Sequence, residues 1–151
     1  MGIEARSLMW DFQPQMKKAL GIDLGDARVG VAVSDDLGLL AHPLETITVK
    51  STPVRQRILA LAAERGAGTI VVGMPRNMDG SYGPAAEKAR AFVEELRRDS
   101  SCTVIAWDER LTTVSAQRAL HEAGRNTRQQ KAVIDQVAAQ IILQGWLDSL
   151  A

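Results

Sequence analysis

The sequence predicts an α/β domain on a mixed five-stranded sheet, a three-strand antiparallel meander extended by two parallel strands and flanked by helices. Three observations carry that prediction. Three short apolar segments follow one another between Ala19 and Val49, separated only by turn-forming residues. Two later apolar segments, near Val71 and Val104, each follow a helical pattern, as parallel strands joined by crossovers do. The 151 residues suffice for one compact core and are too few for two.

The elements follow in order. Ala19 to Leu24 alternates, with Leu20, Ile22 and Leu24 on one face, so Asp23 projects from the other beside the small residues Ala19 and Gly21. Gly25-Asp26-Ala27 turns the chain into Val29 to Val33, and Asp35-Asp36-Leu37-Gly38 turns it again into a third strand between Leu39 and Val49. Thr52-Pro53 reads as an N-cap followed by proline at the first helical position, with Val54, Ile58 and Leu61 at helical spacing and Gly66 or Gly68 as the stop. Thr69 to Gly73 is a buried parallel strand. Pro84 opens a helix whose stripe is Ala85, Ala89, Phe92, Val93 and Leu96. Thr103 to Trp107 is the last strand and runs into Asp108-Glu109-Arg110. Thr112 or Thr113 caps a short helix ending near Gly124, and a final helix spans 128–150 with Ile134, Val137, Ala138, Ile141 and Trp146 facing inward. Residues 1–16 show no period and read as an N-terminal extension to a domain at 17–151.

Composition excludes several classes. The 18 acidic and 18 basic residues cancel, which argues against a strongly basic nucleic-acid coat protein. A local basic bias does exist: Arg110, Arg118, Arg125, Arg128 and Lys131 face only the acid Glu122 in that stretch. No apolar run approaches the ~20 residues that span a bilayer, and the N-terminus lacks the cationic start and apolar run of a secretion signal, so a cytoplasmic setting without membrane contact is expected. The lone Cys102 allows no internal disulfide and sits in an apolar strand context rather than an electropositive one. His42 and His121 have no zinc spacing, and Gly80-Ser81-Tyr82-Gly83 lacks the G-x-S-x-G elbow.

Three acids stand where solubility does not explain them. Asp23 lies inside an apolar strand, Glu109 closes a core strand, and Asp135 sits in the apolar final helix on a face with Ala138, Ala139 and Ile142. Any one of them alone reads as a cap, an ion pair or an edge charge. Convergence at one end of one sheet is different: carboxylates ~4 Å apart repel by about 4 kcal/mol at an effective dielectric of ~20. A hard divalent cation relieves that repulsion, and oxygen ligands suit magnesium and manganese. Asp108 competes with Glu109, because strand alternation sends the two to opposite faces.

The blocks Gly21-Ile22-Asp23-Leu24-Gly25-Asp26-Ala27-Arg28-Val29-Gly30, Val71-Val72-Gly73-Met74-Pro75-Arg76-Asn77-Met78-Asp79-Gly80-Ser81, and Trp107-Asp108-Glu109-Arg110-Leu111-Thr112-Thr113, with the surroundings of Asp135, resemble the YqgF/RuvX family of nucleases from about Lys18 to Asp148. The resemblance implies a ribonuclease H-like fold and maturation of the small-subunit ribosomal RNA precursor, with Holliday-junction resolution as an older proposal. It favours Glu109 over Asp108. It implies Asp23, Glu109 and Asp135 as catalytic acids holding Mn2+ or Mg2+, one cation activating water and another stabilising the leaving oxygen. Expected substrate contacts are Arg76, Ser81, Arg110, Thr112, Arg125 and Arg128, the arginines because guanidinium pairs with phosphate in a bidentate way. The expected partner is nucleic acid, RNA ahead of branched DNA, with ribosomal precursor particles as its setting. Residues Gly124 to Gln130 depart from the family's more lysine-rich run.

Two other function classes remain. The opening hairpin also resembles the phosphate-binding hairpin of actin-like ATPases and sugar kinases, but those close two domains around a nucleotide. An RNA-binding module without catalysis is the other, since fold alone does not assign chemistry. Junction resolution requires a homodimer with two sites, whereas RNA trimming works with a monomer.

Overall fold

A computed structural model describes residues 17–75, 77, 79–111 and 131–150. The expected extension at 1–16 and the expected helix at 112–124 lie outside the described residues. The elements are β1 (Lys18–Leu24), β2 (Arg28–Ser34), β3 (Ala41–Thr48), α1 (Val54–Arg65), β4 (Ala67–Met74), α2 (Pro84–Asp99), β5 (Thr103–Asp108), a 3₁₀ turn (Glu109–Leu111) and α3 (Lys131–Ser149). The strands form one sheet in the order β3-β2-β1-β4-β5, antiparallel across β3-β2-β1 and parallel across β1-β4-β5. This is the predicted mixed sheet.

The two faces differ because alternation sorts the side chains. Leu20 and Ile22 of β1, Val29, Val31 and Val33 of β2, and Ile70 and Val72 of β4 join Ile58, Leu61, Val93 and Leu96 from α1 and α2 in the larger core. The opposite face carries Ala19, Ala32, Ala41 and Val71, and α3 closes it with Ala139, Ile142, Leu143 and Leu147. The register slips between Lys18 and Ala19, and the buried Ser34 hydroxyl accepts the Ala19 N–H at 2.8 Å. A polar side chain thus satisfies a backbone donor at the irregularity.

Three details differ from expectation. Helix α1 begins at Val54 with Pro53 as N-cap, so Thr52 does not cap it; Pro53 is extended, with φ −65° and ψ 110°. Gly66 ends α1 in the left-handed region at φ 67°, where a side chain would be strained. In α2 the stripe runs through Ala86, Ala89, Val93 and Leu96, with Phe92 partly buried and Ala85 exposed. In α3 the expected stripe of Ile134, Val137, Ala138, Ile141 and Trp146 is only half-buried, and the covered line is Ala139, Ile142, Leu143 and Leu147. The helix approaches strands lined with glycine and alanine, so its own small residue Ala139 marks the line of closest contact and bulkier side chains flank it.

Candidate active site

Glycines determine how close α3 comes to the sheet. A methyl group on Gly21 would lie 2.6 Å from Leu143 Cβ and 2.7 Å from the Ala139 carbonyl oxygen. One on Gly30 would collide with the Asp135 carbonyl oxygen. One on Gly73 would lie 2.5 Å from Ile142 Cδ1 and 2.9 Å from Glu109 Oε2. These glycines occupy three adjacent strands, and Gly30 pairs directly with Asp23 across β1 and β2. Asp23 therefore points into a space kept open by absent side chains, with Asp135 arriving on α3 and Glu109 arriving past the end of β5.

The electrostatics record that convergence. Burial raises the Asp23 carboxyl to about 6, and the negative charge of Asp135 adds to the effect. Burial raises Glu109 to about 7, with Asp23 and then Asp108 contributing repulsion. Neither Asp23 nor Glu109 has a hydrogen-bond or ion-pair partner among the described residues. Asp135 does: its Oδ2 accepts from Arg28 Nε at 2.7 Å. Arg28 shares the α3 face of β2 with Gly30 and Ala32 by strand alternation, a spacing that gives its face but not its pairing with Asp135, 107 residues away.

Asp108 and Glu109 separate as alternation requires. Asp108 accepts Arg110 in a two-pronged contact at 2.7–3.1 Å, whereas Glu109 turns toward Gly73 and Asp23. Arg110 is thereby neutralised within its own turn. Ser81 is also engaged locally: its N–H and its hydroxyl both donate to Asp79 Oδ1, at 2.9 and 2.6 Å, in a loop where Gly80 takes φ 88°. Arg76, Thr112, Arg125 and Arg128 lie outside the described residues, as does most of the basic stretch from 110 to 131.

Whether this set suits a divalent cation is a question of donor chemistry. Carboxylate oxygens are hard donors of the kind magnesium and manganese take, and two of the three, Asp23 and Glu109, are half-buried with no ion-pair partner among the described residues. Among the described residues, however, no three acidic, histidine or cysteine side chains already stand close enough to hold one ion together. The donors fit by type, and one of them, Asp135, is paired with Arg28.

A family model described as "RuvX: Holliday junction resolvase" matches residues 17–149. The chain belongs to the RuvX family. A relative from Acetivibrio thermocellus, named as a candidate pre-16S rRNA nuclease, is 49% identical over 136 residues, covering 87% of this chain and 96% of the relative. One from Ruegeria sp. with the same name is 48% identical over 138 residues, covering 91% and 88%. Among solved structures, Thermus thermophilus RuvC in complex with a Holliday junction substrate superposes with a TM-score of 0.55 at 17% identity, covering 88% of this RuvX chain and 94% of RuvC. That likeness shows the shared ribonuclease H-like fold.

Proposed function

We propose that this RuvX-family chain is a divalent-metal-dependent nuclease that hydrolyses phosphodiester bonds in precursor 16S ribosomal RNA. The observation that carries the reading is the half-buried carboxyl of Asp23, without an ion-pair partner among the described residues and within electrostatic reach of Glu109 and Asp135 on the α3 face. The names of the RuvX relatives support the substrate.

Asp23, Glu109 and Asp135 would hold magnesium or manganese, which when bound supplies charge neutralisation at the scissile phosphate and activation of water. The chain's residues do the rest. The carboxylates fix where charge is held, and Gly21, Gly30 and Gly73 keep the space around Asp23 clear of side chains. Without a cation, burial and the neighbouring carboxylates raise Glu109 to about 7, a cost of holding its charge that a bound cation would relieve. No side-chain nucleophile is required.

Labelled precursor RNA and a four-way DNA junction, incubated with manganese, magnesium or chelator, test the reading. Losing even an outer partner of a metal ligand costs roughly 10–100-fold, so Asp23→Asn is expected to slow metal-dependent RNA cleavage by about 100-fold or more. Equal cleavage by wild type and variant would overturn the site. Preference for the junction would replace the substrate.

A further inference from the structure

We propose that Arg28 is an internal counter-cation for Asp135, a positioning residue that holds this carboxylate against β2 and competes with divalent metal for it. The inference rests on the proposed metal site and adds a residue to its control.

The geometry is specific. Arg28 is the first residue of β2, immediately after the turn that follows β1, and it faces α3. Its Nε donates to Asp135 Oδ2 at 2.7 Å across a sequence separation of 107 residues. The side chains are 37% and 21% exposed, so the pair is shielded but open to exchange with solvent. Among the described residues no other cation forms an ion pair with Asp23, Glu109 or Asp135.

The arrangement explains two facts together. Asp23 feels the charge of Asp135, so the two carboxylates belong to one electrostatic neighbourhood. Yet the three acids do not stand as a ready ligand group. A guanidinium occupies the carboxylate that would complete the group, lowering repulsion within it. Cation loading must then exchange one counter-ion for another at Asp135. Arg28 therefore lowers metal affinity while keeping Asp135 oriented.

Manganese and magnesium affinities of the full chain, measured by calorimetry and by the rise in Tm on adding metal, test this independently of cleavage. Arg28→Gln is expected to bind manganese about fivefold more tightly or better, since both the competing pair and a repelling charge are gone. Its metal-free Tm should fall and its Tm rise with manganese should exceed that of wild type. Arg28→Lys retains the charge and should stay within about twofold of wild type. Lys88→Gln is the control for general charge: Lys88 pairs with the exposed Asp26 at 2.9 Å and should shift affinity by less than about twofold. Unchanged or weaker manganese binding by folded Arg28→Gln would overturn the counter-cation role and leave the metal site standing. An equal gain in Lys88→Gln would overturn it too, reducing the effect to net charge. No manganese response in wild type or in Arg28→Gln would overturn both readings.

Discussion

The two faces of the sheet are built on opposite principles. Toward α1 and α2, the strands present Leu20, Ile22, Val29, Val31, Ile70 and Val72, all essentially without exposure, and bulk against bulk fills the space. Toward α3, the same strands present Gly21, Gly30, Ala32 and Gly73, and what packs on them is helix backbone as much as side chain. The first face supplies stability through apolar area. The second gives up some of that area so that a helix can approach closely enough to bring a carboxylate from α3 beside one on β1. The lesson is that small residues here are part of the site: they determine where Asp135 stands before any ligand arrives.

The contrast predicts opposite responses to a change of size. Gly30→Val places bulk where the Asp135 carbonyl lies and should cost about 3 kcal/mol or more, with loss of both cleavage and manganese binding. Ile70→Ala, on the other face, should cost about 2–5 kcal/mol in chemical denaturation through the cavity it leaves, while the manganese affinity of the folded fraction stays near wild type. A Gly30→Val protein as stable as wild type would break the comparison.

Charge sharpens it next. The folded carboxyls of Asp23 and Glu109 are raised from 3.8 and 4.5 to about 6 and about 7. Between those limits the native state holds protons that the unfolded chain has released. Metal-free stability from these groups therefore falls as pH rises from about 4 to about 7 and levels off above. In chelator, Asp23→Asn should match wild type near pH 4 and exceed it by on the order of 1–3 kcal/mol at pH 8. Thermal melts across pH check this; a gain that is largest at low pH would contradict the burial of Asp23.

The smallest effect concerns how α3 is held in register. Gln144 Oε1 accepts the Ala41 N–H at 2.9 Å and its Nε2 donates to the Leu39 carbonyl at 2.9 Å. Gln144→Ala should cost about 1 kcal/mol by urea titration, without altering metal affinity. A tenfold change in manganese binding would mean that helix register, more than the glycine contacts, places Asp135.

Much of this was legible in the residues. Alternation in β1 was enough to turn Asp23 away from Leu20 and Ile22, and the turn residues between Leu24 and Ala41 were enough for a meander, because both follow from local backbone geometry. The strand-helix-strand succession sufficed for parallel pairing of β4 and β5. The three acids were identifiable as misfits in apolar settings, although the preference for Glu109 over Asp108 came from family resemblance and not from period. The inward face of α3 was misjudged, because hydrophobicity alone points to Ile134, Val137 and Ile141, whereas the closest approach depends on which strand residues lack side chains.

By itself, then, the sequence determined the described strands and helices, their order and the mixed sheet, since these depend on periodicity, turn chemistry and length. Only the tertiary structure decided that Gly21, Gly30 and Gly73 form one track under α3, that Asp108 belongs to Arg110, and that Asp135 rests on Arg28. Those are contacts between residues far apart in the chain. No local pattern encodes them, because the distance between two side chains across a sheet is fixed by every layer packed between and beside them.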